Sequence, residues 1–226
     1  HRPMRRTLAS VASLVLSPSG QPAVRLLLPA AAMPAPGQVL LACRPGGDDP
    51  LRQVLLPIRL EADGLTALQP EGTSWQPGEQ VDLLGPIGHG FRPSPSHRRW
   101  LLAAFGVNPD VLLPLMNTGV DRGVSAALWA DSPLPPLPPQ VEVPSDLELA
   151  LEWADYFGLA LTPDWLEANG PGTPILEAAR RPQLAEALVI LPMPCGTGIC
   201  GACATGTGRK ALRACVDGPV VALEDL

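Results

Sequence analysis

The first 95 residues alternate short apolar runs with clusters of turn residues. Breaks such as Ser17–Gly20, Asp63-Gly64 and Pro77-Gly78 recur at strand-length intervals. This spacing is typical of an all-β barrel or sandwich. The predicted strands are Thr7–Leu16, Val24–Leu28, Gln38–Cys43, Gln53–Leu60 and Gln80–Leu84.

After Arg98 the pattern changes to an alternation of strands and helices. Trp100–Phe105 and Val124–Trp129 are apolar runs that predict buried strands. Between them, Asn108-Pro109 supplies an N-cap and a first helical residue for a helix from Asp110 to about Asn117. Leu188–Leu191 predicts a final strand. Residues 96–193 therefore read as a small α/β domain.

Helix caps mark the remaining elements of this domain. Ser145 and Glu148 form a capping box for a helix that we expect to end at Gly158. Thr162-Pro163 and Thr173-Pro174 predict two more helix starts, the second interrupted by Pro182. The proline-rich run Ser132–Gln140 predicts an extended polyproline connector, which we favour over a ligand for SH3-type domains.

Four cysteines near the C-terminus carry the clearest chemistry in the chain. Cys195, Cys200 and Cys203 have the C-x4-C-x2-C spacing with which plant-type ferredoxins bind a [2Fe–2S] cluster, and Cys215 can supply the fourth thiolate. The intervening glycines allow backbone to wrap closely around a cluster. The pattern predicts a one-electron carrier.

Structural zinc, a four-iron cluster and disulfides are the alternative uses of these cysteines, and each fits the pattern less well. Structural zinc usually takes two C-x2-C-like knuckles, and a four-iron cluster favours ligand spacings of two, two and three residues. A disulfide framework is typical of small secreted chains and pairs an even number of cysteines, whereas this chain has 226 residues and five. The fifth, Cys43, lies in an apolar run and is expected to be a buried small hydrophobe.

Composition and charge limit the kinds of partner and the cellular compartment that we expect for this chain. The formal net charge is −6, and Lys210 is the only lysine, which argues against nucleic acid or an anionic membrane as a partner. No stretch approaches the roughly 20 apolar residues of a membrane span. Arg5-Arg6 and the apolar residues after it resemble a twin-arginine export signal, but we expect a strand there and a cytoplasmic protein.

Three segments resemble the electron-transfer subunit of two-subunit dihydroorotate dehydrogenases, a branch of the ferredoxin-reductase superfamily. They are Pro77–Phe91, similar to the family's Gly-Pro-Leu-Gly-x-Gly-Phe linker, Pro194–Pro219 with its cysteines, and Ala35–Gln38. The resemblance implies a multidomain α+β chain. Residues 1–95 would form an antiparallel flavin-domain-like β-barrel, 96–193 an abbreviated nucleotide-domain-like α/β unit, and 194–226 a [2Fe–2S] module.

The chain departs from this family where FAD would bind. The family grips the flavin with an Arg-x-Pro/Tyr-Ser motif, but the matching stretch, Leu51–Arg59, has a leucine at either the Arg or the Ser position. Gly72 and Thr73 match the family's second flavin contact. Arg52 and Arg59 are candidate substitutes for phosphate binding. FAD in this chain is therefore an open alternative.

The loop that would bind a nucleotide differs even more from the family's sequence. The family places Gly-Gly-x-Gly-x-Ala-Pro after the first strand of this domain, so that backbone can approach phosphates. This chain has Ala103–Pro109, in which one glycine, Gly106, remains and Phe105 fills space. The sequence does not favour NAD binding.

Two functions are consistent with these features. The first is an electron-transfer subunit whose cluster exchanges electrons with a flavin, in this chain or in a dihydroorotate dehydrogenase-like catalytic partner within a hetero-oligomer. The second is a degenerate scaffold or assembly subunit with a structural cluster and no flavin or NAD chemistry. No residue outside the cysteine quartet predicts catalysis.

Overall fold

The N-terminal half is a curled antiparallel sheet. The computed structural model describes residues 4–46, 51–169, 173, 176–177, 185–205 and 212–226. Seven strands form the sheet in the order β4-β3-β7-β1-β2-β6-β5 and enclose a core that includes Leu26, Leu40, Leu65 and Leu83. The strands are β1 (Arg5–Leu16), β2 (Pro22–Leu27), β3 (Val39–Cys43), β4 (Gln53–Leu55), β5 (Pro57–Glu61), β6 (Gly64–Leu68) and β7 (Gln80–Ile87).

Two predictions for this sheet need correction. The run Gln53–Leu60, expected to be one strand, is split into β4 and β5, which lie at opposite ends of the sheet order. The pattern does not predict strand β6, because Asp63-Gly64 is a break in it. Gly64 instead begins β6 and lies so close to Leu26 in β2 that a Cβ there would overlap the Leu26 carbonyl oxygen.

The C-terminal half is a mostly parallel sheet with helices. Its strand order is β10-β9-β8-β11-β12-β15, in which β15 alone runs antiparallel to its neighbour. The first five strands have the doubly wound order 3-2-1-4-5 when counted from β8. The elements are β8 (Arg99–Phe105), α1 (Leu113–Asp121), β9 (Ser125–Ala130), β10 (Val141–Glu142), α2 (Leu147–Trp153), β11 (Tyr156–Leu161), α3 (Pro163–Asn169), β12 (Ala185–Val189), β13 (Ala204–Thr205), β14 (Leu212–Arg213) and β15 (Val220–Ala222).

The expectation of a helix ending at Gly158 was wrong. Helix α2 ends at Trp153, and Gly158 lies in the middle of β11, whose six residues are all buried. A Cβ on Gly158 would stand 2.8 Å from side-chain carbons of both Leu102 and Leu115. The glycine is thus required by packing between β11, β8 and α1, which a cap pattern in the sequence does not reveal.

The predicted helix N-caps are confirmed, except that the cap of α2 is the next residue along the chain. Asn108 accepts a hydrogen bond from Asp110 N, and the helical segment continues as a 3-10 turn, Pro109–Leu112, followed by α1. Asp146, not Ser145, caps α2. Thr162 and Thr173 accept bonds from the backbone N–H groups of Trp165 and Leu176. Pro174 and Pro182 lie outside the described residues.

The proline-rich run packs against the protein. Leu134 and Leu137 are half-buried against the α/β core that contains Trp100 and Leu112. The run has no helix or strand. It therefore acts as a connector fixed to the surface between β9 and β10, as expected for a stiff connector. Within the described ranges, no helix is both long and apolar enough to cross a bilayer.

A polar clasp joins the two halves. The β1–β2 turn places Ser19 beside the start of the 3-10 segment, where the Asp110 carboxylate accepts bonds from Ser19 N at 3.1 Å and from Ser19 Oγ at 2.7 Å. Asn108 Nδ2 also donates to Ser19 Oγ, at 2.9 Å. Because Asp110 is fully buried, this clasp fixes the barrel turn against the α/β domain.

A second junction joins both halves to the C-terminal segment. Gly88, after β7, has a φ of +67°, and a Cβ on it would overlap the carbonyl oxygen of Gly218. The next residue, His89, donates its backbone N–H to that same oxygen. Gln38 Nε2 donates to the Gly88 carbonyl at 2.7 Å. The three segments that carry the family resemblance therefore meet at one place.

Replacing Gly88 by alanine tests this junction. We expect a loss of at least about 3 kcal/mol of stability, because the Cβ must displace the Gly218 backbone as well as adopt a positive φ. Gly20→Ala is the matched control, since Gly20 has a φ of +87° and open space around its Cβ position. We expect it to cost about 1–2 kcal/mol. Denaturant unfolding of the two variants measures the difference, and equal losses would contradict the assigned contact.

Candidate iron–sulfur site

The four C-terminal cysteines lie in one loop system between β12 and β15. The chain leaves β12, passes the buried Met193, and forms the loop Cys195–Cys203 before β13. Strands β13 and β14 pair antiparallel, and Ala214 N donates to the Cys203 carbonyl at 2.9 Å. This pairing brings Cys215 back to Cys203.

The sulfurs meet as two pairs. Cys200 Sγ lies 3.1 Å from Cys195 Sγ, and Cys203 Sγ lies 3.2 Å from Cys215 Sγ. Neither pair is a disulfide. Among the described residues, no three His, Cys, Asp or Glu side chains are grouped so as to hold one metal ion.

This arrangement fits a cluster with two irons. Such a cluster needs four ligands, two on each iron. Two thiolates on one tetrahedral metal, each about 2.3 Å from it, stand about 3.7 Å apart. Each observed pair needs to open by only about half an ångström to reach that separation. Cys195 and Cys200 would bind one iron, and Cys203 and Cys215 the other.

The two pairs differ in their exposure. Cys203 and Cys215 are buried in an apolar cluster with Val39, Leu41 and Ile87 of the barrel. Cys195 is half-buried and Cys200 is exposed. One side of the site therefore rests on the β3–β7 face of the barrel, and the other side faces solvent.

Glycines allow the loop to lie on the barrel. Gly196 has a φ of +66°, and a Cβ there would come within 2.7 Å of Leu41 Cδ1. Gly198 is similarly close to Val216. Gly201 also has a positive φ but faces open space. A side chain would therefore be crowded at the first two positions, whereas backbone conformation alone favours glycine at the third.

One thiol of each pair has a shifted pKa, and the two shifts are opposite. The pKa of Cys195 is lowered to about 5, first by the backbone N–H of Cys200 and then by that of Thr197, because both donate to its sulfur. Burial raises the pKa of Cys215 to about 12, and its contact with Cys203 adds to the rise. Cys195 thus favours thiolate in the chain itself, while Cys215 needs the charge of a bound cation to lose its proton.

Cys43 lies apart from these thiols. It ends β3 and is half-buried rather than fully buried as expected, with its sulfur 3.9 Å from Asp82 Oδ2. Its neighbour Asp82 is almost completely buried and receives the guanidinium groups of Arg6 and Arg52. Burial by itself raises the pKa of Asp82, but the hydrogen bonds and charges of these arginines outweigh it and leave the pKa below its ordinary value.

Both arginines proposed for a flavin phosphate have carboxylate partners. Arg52 donates to the Asp82 carboxylate at 2.9 Å and to its carbonyl at 2.8 Å, with only 18% of its side chain exposed. Arg59 lies on β5, 71% exposed, and pairs with Glu61 at 3.2 Å. Thr73 donates its hydroxyl to Pro70 O within the turn that contains Gly72. The structure does not bring these four residues together with the cysteines.

Two features near the cysteines were not found from the sequence. Arg213 N donates to the Asp217 carboxylate at 2.9 Å, and their side chains form an ion pair that closes the turn around Cys215. The spacing of four residues between opposite charges is the signal that could have shown it. Ile199, in the cysteine loop, is 88% exposed.

Comparison with known proteins agrees with this geometry. Residues 192–226 match the family described as the iron–sulfur cluster binding domain of dihydroorotate dehydrogenase B. A curated relative is the electron transfer subunit of dihydroorotate dehydrogenase B (NAD(+)) from Geobacillus thermodenitrificans (strain NG80-2). It is 28% identical over 195 residues, which cover 74% of this chain and 72% of the relative.

Solved structures share the fold. An NADH-dependent reduced ferredoxin–NADP oxidoreductase, studied for flavin-based electron bifurcation, has a TM-score of 0.70 at 17% identity and covers 96% of this chain and 88% of its own. The cytochrome b5 reductase domain of Ulva prolifera nitrate reductase has a TM-score of 0.56 at 14% identity, with coverages of 82% and 97%. The predicted fold and resemblance are confirmed: the chain has a ferredoxin-reductase-like fold, ends in an iron–sulfur cluster binding domain of the dihydroorotate dehydrogenase B type, and is a relative of that enzyme's electron transfer subunits.

Proposed function

We propose that this chain is the electron-transfer subunit of a flavin-linked oxidoreductase and that Cys195, Cys200, Cys203 and Cys215 hold a [2Fe–2S] cluster. The observation that carries the proposal is the meeting of four thiols as two close pairs within the segment that matches a cluster-binding family. Such a cluster, when bound, takes up and releases single electrons.

Different residues of the chain exclude water from one side of the site and stabilise negative charge on the other side. Val39, Leu41 and Ile87 exclude water from the buried pair. The backbone N–H of Thr197, 3.5 Å from Cys195 Sγ, is oriented to stabilise negative charge on the exposed pair. Hydrogen bonds and exposure of this kind set the reduction potential of a cluster. The solvent side, at Cys200 and Ile199, is where another redox protein can approach.

The partner is a catalytic flavoprotein like that of dihydroorotate dehydrogenase B. This proposal is supported by the relative, which carries the name of an electron transfer subunit, and by the exposed apolar tip beside Cys200. The assembly would be a hetero-oligomer that works in pyrimidine biosynthesis. None of the five cysteines forms a disulfide, which is consistent with a reducing compartment, so we place the protein in the cytoplasm.

A structural role for the cluster is the second candidate. It is favoured by the Gly88 junction and by β15, which tie the cysteine loop to the barrel and to the α/β sheet at once. In that case the chain would be a scaffold subunit whose cluster only stabilises the fold. The two candidates differ in whether the cluster changes oxidation state with a partner.

Serine substitutions identify the ligands. Each of Cys195→Ser, Cys200→Ser, Cys203→Ser and Cys215→Ser should lower iron and sulfide from about two of each per chain to less than half, because two irons require four thiolates. Cys43→Ser is the matched control and should keep the full content. Anaerobic purification followed by metal and sulfide analysis measures this. Zinc without sulfide in the unsubstituted chain would overturn the cluster.

An aspartate in place of Ile199 tests the electron-transfer role. We expect Ile199→Asp to slow reduction of the cluster by a reduced dihydroorotate dehydrogenase catalytic flavoprotein about tenfold or more, since a charge at an apolar contact weakens docking. Iron content should be unchanged. Val143→Asp, at an exposed apolar residue that follows β10, is the control. Stopped-flow absorption measures the rate. A cluster that the flavoprotein never reduces would favour the scaffold.

A further inference from the structure

We propose that this chain does not bind a flavin or a nucleotide at the two places where a reductase of this architecture holds them, because packing closes the first place and packing and carboxylates together block the second. This chain's cluster would then exchange electrons only with groups in partner proteins. The redox part of this inference rests on the proposed function. The closure of the two places rests on separate contacts, described below.

The crevice at the switch point of the α/β sheet is closed on the side of α3. In a doubly wound sheet, ligands bind beyond the carboxyl ends of the strands where the strand order reverses, here between β8 and β11. Gly106 follows β8 at this edge, and Trp165 of α3 covers it: a Cβ on Gly106 would stand 3.2–3.3 Å from Trp165 side-chain carbons. The Phe105 and Trp165 rings also pack, with centroids 4.6 Å apart. On this side of the crevice, ring packing occupies the space of a ligand.

A backbone donor at this edge is already used by an acidic group. Gly106 N donates to the Asp131 carboxylate at 2.8 Å. A nucleotide phosphate would need such an N–H. The clasp adds the buried Asp110 carboxylate on the same turn, held by Ser19. Two carboxylates at the start of the helical segment repel the phosphates that this position binds in nucleotide enzymes.

The barrel side is closed in the same way. Leu56, between β4 and β5, lies in the Leu51–Arg59 stretch that corresponds to the family's flavin grip. Its side chain packs against both the α/β core and the apolar cluster beneath the cysteines. Strand β5 directly contacts α1 and the preceding 3-10 turn. A leucine shared by two cores cannot be released without opening both.

The cations of that stretch are also occupied. Arg52 is bonded to the buried Asp82, and Arg59 to Glu61. A flavin phosphate would have to displace a carboxylate from either one. Two surface pockets, of about 370 and 300 Å³, are not lined by Arg52, Leu56 or Arg59, nor by the Gly72-Thr73 turn. The larger pocket is lined by Gly106, Asn108 and Asp131, so it opens at the nucleotide edge, on the side where the Asp131 carboxylate holds Gly106 N.

Ligand binding by the complete chain tests the closure directly. The anaerobically purified protein, with iron and sulfide measured on the same sample, is titrated with FAD, FMN, NADH and NADPH up to about 1 mM, the upper end of ordinary KM values. We expect no flavin on acid release, no quenching of flavin fluorescence and no bleaching of the cluster by NADH. About one FAD per chain, or NADH bleaching, would overturn the inference. Missing iron and sulfide would instead refute the proposed function.

The packing role of Trp165 gives a positive readout. If the crevice is a structural contact, Trp165→Ala should lower the thermal midpoint by about 5 °C or more, while Trp165→Phe, which keeps an aromatic ring against Phe105, should recover at least half of the loss. Cluster content is followed in both variants. An unchanged midpoint in Trp165→Ala, or a gain of nucleotide binding without loss of stability, would show that the crevice is a binding site rather than a contact.

Discussion

The close approach of Gly88 to Gly218 is the constraint on which the rest of the structure depends. Two backbones meet there without room for a side chain, so the linker after the barrel, the end of the cysteine segment and, through Gln38, the β3 entry must be placed together. Hydrophobic clusters on either side then complete the packing. The cysteine loop is positioned relative to the barrel by this contact, rather than by its own short strands.

Local patterns in the sequence predicted what local chemistry determines. The cysteine spacing was sufficient to select the four thiols that the fold brings together as pairs, and Asn108 and Thr162 cap where their side chains predict. Gly158 shows where local sequence patterns fail to predict a residue's role. In the sequence it resembles a helix cap, but its role is set by Leu102 and Leu115, which are distant in the chain. Close packing between elements leaves no local pattern.

The roles of charged residues were harder to predict for the same reason. Arg52 looks available for a phosphate in the sequence, yet it is neutralised by Asp82, thirty residues away on a strand that is not its neighbour in sequence. In the sequence, nothing distinguishes Leu56 from the other leucines. The structure shows that it packs against two hydrophobic clusters. Sequence could show that the flavin motif is altered, but only the contacts show what took its place.

Because β15 pairs with β12, the cysteine segment is a closed loop between two paired strands. Both ends of residues 190–219 are fixed in neighbouring strands of one sheet, so this stretch is an excursion that begins and ends at the same edge rather than a tail. The cost in chain entropy of closing such an excursion is met when the strands pair. Thiolates bound to shared metal would then act as a cross-link inside a loop that is already closed, and the metal-binding free energy would contribute to ordering that loop. The segment therefore could not be moved to another protein as a tail, but it could be grafted as an insertion between two adjacent antiparallel strands.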